Sequence, residues 1–274
     1  MTIEGRSDEQ DLLSVTRGLE DITLGNSLSS KLVDTSTDMA TMVDSLDGLP
    51  TTPPSLYIDI EGVNLSRHGS VSILQLFVLP KRCIYLIDIH TLGAKAFSTP
   101  GTKGRTLREF LESEATPKVF FDVRNDSDAL YHHFQINLAG VQDLQLMELA
   151  TRGFSKKHVN GLSKCIERDA VLSMSQSIAW KRVKEQGVKL FAPERGGSYQ
   201  VFNEHPLSEE IRSYCVQDVQ FLPQLWVHYN TKLTTTWEKR VRDASNDRVN
   251  LSQTKGYNGK GQHMALAPEG WAWR

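Results

Sequence analysis

The chemistry this chain can do rests on four acidic residues carried by three separated segments. Asp59 and Glu61 stand in Tyr57-Ile58-Asp59-Ile60-Glu61-Gly62, Asp126 follows Lys118-Val119-Phe120-Phe121 by five residues, and Asp218 closes Tyr214-Cys215-Val216-Gln217-Asp218. Carboxylates are hard oxygen donors, so such a set suits two divalent cations, Mg2+ or Mn2+. The residues from Ser55 to Ile60 are rich in β-branched and aromatic types and read as a buried strand. Side chains two apart on a strand share a face, which puts Asp59 beside Glu61 and sends Ile58 and Ile60 to the other side. Two carboxylates at such range repel, and one tends to take up a proton unless a cation lies between them.

The third segment predicts a helix from Ser208 to Tyr229, with Ser208 as N-cap, Glu209 and Glu210 in the first turn, and apolar residues recurring at Ile211, Val216, Val219, Leu222, Leu225 and Trp226. Tyr214 and Asp218 are four residues apart on it, so a phenol hydroxyl lies one turn from a carboxylate. In the middle segment a strand over 118–122 gives way to a helix opening at Asp126-Ser127-Asp128, which places the acid at the carboxyl end of a strand, where open α/β sheets hold their chemistry. Asp122 and Asp128 stand nearby as alternatives, and the spacing from Lys118 to the acid and from the acid to Leu130 favours Asp126.

Taken in order, these segments resemble the DEDD 3′-5′ exonuclease superfamily, in the subgroup with Tyr in the third motif and the ribonuclease D-like branch. The resemblance covers roughly residues 30 to 230. Supporting matches are Leu74-Gln75-Leu76, Tyr85-Leu86-Ile87-Asp88, Gln142-Asp143-Leu144-Gln145 and Asn160-Gly161-Leu162-Ser163. It implies an RNase H-like α/β fold with a mixed five-stranded sheet flanked by helices. It also implies that Asp59, Glu61 and Asp218 hold one metal ion, that Asp59 bridges to a second, and that Asp126 holds the second largely through water. Tyr214 takes the place of the His of the sister subgroup, positioning the attacking water and helping to deprotonate it. With an unperturbed pKa of about 10, its main part is orientation. Many relatives have His where this chain has Phe121, which is not a ligand in the pattern, so altered packing is expected there.

The implied reaction is metal-dependent hydrolysis of phosphodiester bonds from a single-stranded 3′ end, releasing nucleoside 5′-monophosphates, with RNA slightly ahead of DNA. The alternatives are a catalytically inactive RNA-binding or scaffold module of the same fold, or an enzyme for short oligonucleotides. A nucleic acid with a free 3′ end is the expected partner; protein partners are not read.

Net charge is only −2, yet it is unevenly spread. Residues 152 to 195 hold ten basic against four acidic residues, a net +6, while residues 1 to 50 hold three against ten, a net −7. A basic segment beside an acidic metal cluster suits a phosphate backbone entering the site. Lys181, Arg182, Lys184 and Arg195 are the candidate phosphate contacts, and Phe191 and Tyr199 the candidate stacking rings for bases. Asp88 and Asp143 read as structural, at a strand end and at a turn or N-cap. His132 and His133 read as an exposed helix flank, and His68 and His205, although able to approach a phosphate, as inessential.

At 274 residues the chain has room for one α/β domain plus appendages. We expect an acidic arm over 1–28, an exonuclease domain over 29–230, and a helical extension with an irregular tail over 231–274. Thr35 or Ser36 caps a helix within 34–49, strands are expected at 55–61, 71–79 and 83–89, and a helix near 105–114. Thr231 to Arg242 should prolong the last helix, and Trp271 and Trp273 suggest a docked terminus. No run of about 20 apolar residues occurs and the start lacks a signal-peptide pattern, so no membrane span and an intracellular location are expected. Cys83, Cys165 and Cys215 lack metal spacing and read as reduced, with Cys215 a buried small hydrophobe.

Overall fold

A computed structural model describes residues 28–272. Most of the expected acidic arm, and Trp273, lie outside the described residues. Six strands form one sheet: β1 (Ser29–Val33), β2 (Leu56–Glu61), β3 (Ile73–Val78), β4 (Cys83–Asp88), β5 (Lys118–Phe120) and β6 (Val141–Asp143), in the order β1-β4-β3-β2-β5-β6. β3 is antiparallel to β2 and β4, and the β1–β4, β2–β5 and β5–β6 pairs are parallel. The sheet is therefore mixed, as expected, with six strands rather than five. The sixth, β1, is a polar edge strand in which only Val33 is fully buried, so its sequence carries little strand pattern.

Two apolar layers cover the sheet. Leu56, Ile58 and Ile60 join one core with Met39, Met42, Leu111, Phe120 and Leu130, while Tyr57 joins the other with Phe77, Val119, Leu146, Ile211 and Tyr214. The alternation of β2 thus divides its side chains between layers, and Asp59 and Glu61 follow Tyr57 to the second. β3 and β4 are buried at every residue, which fits strands covered on both faces.

The placement of the site follows from strand lengths. β5 pairs with β2 only at Leu56↔Lys118 and Tyr57↔Val119, so β2 runs on past its neighbour while the chain after Phe120 turns into helix Arg124–Phe134. The carboxyl half of β2 is left facing the first turn of that helix, and Asp126 lies in that turn. Lys118, fully buried at the start of β5, donates to the carbonyls of Phe110 and Ser113 at 2.8 Å each and ties the end of helix Leu107–Leu111 to the sheet.

Several boundaries depart from expectation. The strand over 118–122 stops at Phe120. The helix expected over 208–229 is two, Glu209–Gln220 and Leu222–Asn230, divided at Phe221; Pro223 in the first turn of the second has no N–H to continue the earlier ladder. Thr231 to Arg242 does not prolong it: a new helix, Thr235–Ser252, opens at the N-cap Thr234. Ser36–Asp44 forms with Thr35 as its cap, and Leu107–Leu111 carries a full capping box from Thr106 and Glu109. His133 is exposed, as expected, while His132 is half-buried; they bond to the carbonyls of Ser66 and Asp128 at 2.9 Å each. Trp271 is buried edge-on against Trp237 at 5.0 Å. Cys83, Cys165 and Cys215 are all buried free thiols. Among the described residues no helix is long and apolar enough to cross a membrane.

Candidate active site

Helix Glu209–Gln220 packs across β2, β3 and β4 and brings its third-motif face down on the two acids of β2. Ligand oxygens of Asp59, Glu61 and Asp218 lie within 4.8 Å of one another. Asp126 approaches from the other side, outside that trio but close enough to feel the charges of Asp59 and Glu61. The four acids of the three motifs are thus brought together.

Their protonation shows the strain of that meeting. Burial, helped by the Asp218 carboxylate and opposed by the Lys184 ammonium, pushes the Asp59 carboxyl up to about 7. Burial and then the Asp59 and Asp218 charges hold Glu61 well above the usual glutamate range, with Lys184 and the Tyr214 hydroxyl pulling the other way. Asp126 is also well above its usual range, through burial, Asp59, Asp122 and Glu61, with nothing opposing. An all-oxygen donor set that resists carrying its own negative charge fits hard divalent cations.

The neighbouring acids are already satisfied. Arg124 grips Asp122 through two contacts of 2.5 and 2.6 Å, and Arg67 binds Asp128 at 2.8 Å. Burial works against charge on Asp122, but Arg124 and Arg248 hold its carboxyl below the ordinary range. Asp143 caps helix Leu144–Thr151 through Gln145, accepts from the backbone of Asp122 and Val123, and pairs with Arg248 at 2.7 Å. Asp88 caps the turn Ile89–Leu92 through Thr91. Of the three rivals in the second motif, Asp126 alone has no hydrogen bond or ion pair on its carboxylate among the described residues, and it feels the charges of Asp59 and Glu61.

Tyr214 is held on three sides. Phe191 meets its ring edge-on at 5.0 Å and Phe202 at 6.4 Å, while a Cβ added to Gly187 would fall 2.4 Å from the ring. Gly187 lies inside helix Met174–Phe191, where glycine costs roughly 0.5–1 kcal/mol against alanine, so its presence is explained by this close approach. Burial first, then the surrounding carboxylates, drives the Tyr214 phenol far above its ordinary value. Lys184, from the same helix as Gly187, donates to Asp218 at 2.5 Å and to the Tyr214 hydroxyl at 3.0 Å. Its ammonium also lies 4.1 Å from the centre of the Tyr214 ring.

The other expected substrate contacts divide. Phe191 and Tyr199 stack on each other at 5.9 Å and reach Tyr214 through Phe191, so they border the carboxylates. Lys181, Arg182 and Arg195 are exposed, Lys181 pairing with Glu167 at 3.2 Å. His205 lies 3.3 Å from Asp88, and Phe121 is a half-buried packing residue.

A family model described as 3′-5′ exonuclease matches residues 31–234, most of the chain. The chain belongs to the 3′-5′ exonuclease family. This exonuclease shares its fold with Trypanosoma brucei RNase D in complex with RNA U12, at TM-score 0.70 and 18% identity over 94% of this chain and 81% of that one. The same enzyme with GMP gives 0.68 and 19% over 94% and 72%, and Escherichia coli RNase D gives 0.53 and 18% over 82% and 51%. No curated protein matches the chain significantly. These likenesses establish an RNase D-like, RNase H-like architecture, and membership makes the exonuclease a hydrolase whose family implies divalent-metal dependence.

Two residues of the candidate site had no clear signal in the sequence. Lys184 reads there as one of many phosphate contacts, whereas the fold turns it inward onto Asp218. Gly187 reads as an unremarked helix glycine, and only its packing against Tyr214 gives it a role.

Proposed function

We propose that this exonuclease shortens single-stranded nucleic acid from its 3′ end with two divalent cations, releasing nucleoside 5′-monophosphates, and that residues 29–230 form the nuclease unit. The observation that carries the reading is the convergence of Asp59, Glu61, Asp126 and Asp218, three of them within 4.8 Å, at the end of β2 with no guanidinium partner among the described residues. Asp59, Glu61 and Asp218 would hold one cation and Asp59 and Asp126 the other. When bound, such a pair acidifies a water and stabilises charge on the leaving oxygen.

The protein's own groups supply the rest. The Tyr214 phenol stays protonated, because burial and the carboxylates oppose its ionisation, so its hydroxyl orients the attacking water rather than removing a proton. Water adds to phosphorus as the bond to the 3′ oxygen of the preceding nucleotide breaks. That oxygen leaves as a hydroxyl, and the terminal nucleotide departs with its 5′ phosphate. Phe191 and Tyr199 stack the terminal base, while Lys181, Arg182 and Arg195 meet the backbone. RNA is the favoured strand, in keeping with the RNA U12 held by the trypanosome RNase D.

The test uses 5′-labelled RNA and DNA of one sequence with the wild type and Asp59→Ala, in magnesium, manganese or EDTA. A metal-dependent ladder receding from the 3′ end, lost in the variant, is expected. A folded wild type that binds either strand without shortening it overturns the reading in favour of an inactive binding module.

A further inference from the structure

The turn after β2, the start of helix Arg124–Phe134 and the chain that follows helix Thr235–Ser252 form an open cavity of about 520 Å³. Its wall includes Arg67, His68, Asn125, Tyr257, Asn258 and Lys260. Asn125 is the chain neighbour of Asp126, and the lining turn 64–68 follows Glu61 by a few residues, so the wall is built from segments that directly flank the candidate metal ligands in the chain. Tyr257, Asn258 and Lys260 fall beyond the region that matches the family, residues 31–234.

The cavity is built. Arg67, anchored on Asp128 at 2.8 Å, donates to the carbonyls of Ser252 at 2.8 Å, Thr254 at 2.9 Å and Lys255 at 3.3 Å, which draws the later segment onto the turn. Tyr257 donates its hydroxyl to Asn125 Oδ1 at 3.1 Å. A Cβ on Gly259 would fall 2.1 Å from the same oxygen, so a larger residue there would have to push the Asn125 amide aside.

The lining has a definite chemistry. Its one acid, Asp128, is consumed by Arg67 and lies 3.3 Å from His132, leaving no free carboxylate in the wall. What remains is an exposed ammonium at Lys260, an exposed imidazole at His68, the amides of Asn125 and Asn258, and the ring of Tyr257. Cations bind phosphate, amides read base edges and rings stack bases. The volume falls within the roughly 300–1,000 Å³ usual for small-ligand sites, enough for one nucleotide. Phe191 reaches Tyr214 beside the third motif, whereas this cavity is lined by Asn125 and Asp128, the neighbours of Asp126 in the second.

We propose that the cavity is a substrate subsite for a nucleotide preceding the terminal one, with Lys260 on a backbone phosphate and Tyr257 and Asn258 on the base. The proposal rests on the exonuclease reading above. It makes grip on the strand depend on residues outside the matched nuclease region.

The experiment measures binding of a 5′-labelled 12-nucleotide single-stranded RNA in calcium across a salt series, for wild type, Lys260→Ala, Lys260→Arg and Asn258→Ala, beside binding of a nucleoside 5′-monophosphate. Lys260→Ala should weaken the strand about five- to tenfold and flatten the slope of log affinity against log salt by about 0.7, one phosphate contact. Lys260→Arg should restore both. Asn258→Ala should weaken the strand and leave the slope. The mononucleotide, filling only the terminal position, should shift by less than about twofold. Wild-type affinity and slope in Lys260→Ala, or equal weakening of strand and mononucleotide, overturns the subsite. A wild type that fails to shorten any strand strikes the exonuclease reading instead, whereas one that shortens RNA while Lys260→Ala binds normally strikes the subsite alone.

Discussion

Two acid-rich regions lie side by side in this protein and behave in opposite ways. Around the end of β5, Asp122, Asp128, Asp143 and Glu148 are each matched by guanidinium groups: Arg124, Arg67, Arg248, and for Glu148 both Arg152 and Arg168. Around the end of β2, among the described residues Asp59, Glu61 and Asp126 have no guanidinium, and Asp218 pairs with the ammonium of Lys184. Arginine is charged at every accessible pH and forks onto a carboxylate, which makes a permanent internal salt. Lysine is a point charge on a flexible stem and can be drawn aside. A carboxylate's part in this molecule is read from its partners: paired acids hold the fold, and unpaired ones form the candidate cation site.

Asp59→Ala gives the largest expected effect. Nucleotide release should fall on the order of 10³-fold or more, because several kcal/mol of charge stabilisation is lost. Thermal stability measured without metal should stay level or rise, since a repelling carboxylate is removed; a marked fall in Tm would place Asp59 with the paired acids. Arg248→Met tests the other region. It leaves the fully buried Asp143 without its ion pair and should cost about 3–5 kcal/mol in urea unfolding. An unchanged unfolding midpoint would break the contrast.

Tyr214→Phe keeps the ring that Phe191, Phe202 and Gly187 surround and removes the hydroxyl alone. The single-turnover rate should drop about 10- to 100-fold, the worth of a hydrogen bond to a charged group, with little change in Tm. A stability loss with full activity would make the hydroxyl structural.

The smallest effect is in pH. Asp59 is raised from 3.8 to about 7 in the fold, so its protonated form is the one that folding favours; without metal, its contribution is fully present below 3.8 and is lost as pH rises through about 7. Cations need the ionised form. The stabilisation by magnesium or manganese should therefore grow as pH rises from 5.5 through about 7, by about tenfold in affinity per pH unit for the Asp59 proton, with Glu61 and Asp126, also raised, adding to the slope. Calorimetric metal titrations showing affinity flat across that range would remove Asp59 from the ligand set.

Much of the site was legible before the fold. Asp59 and Glu61 announce a shared face through strand alternation, and Tyr214 and Asp218 through helical spacing, because both periodicities are local properties of the backbone. The helix caps at Thr35 and Ser208 are equally local. Less legible were β1, whose polar edge lacks an apolar pattern, and the division of the long helix at Phe221 and Pro223, where apolar spacing ran on across the break.

The sequence by itself determined which residues are candidates for the chemistry and most of the elements that hold them, since those follow from side-chain type and spacing along the chain. Only the tertiary structure decided which acids are free. Arg67 reaches Asp128 across 61 positions and Arg248 reaches Asp143 across 105, while Lys184 meets Asp218 across 34. Such pairings are set by how helices pack on the sheet, and no local pattern encodes them, because a charge is neutralised by whatever stands near it in space rather than along the chain.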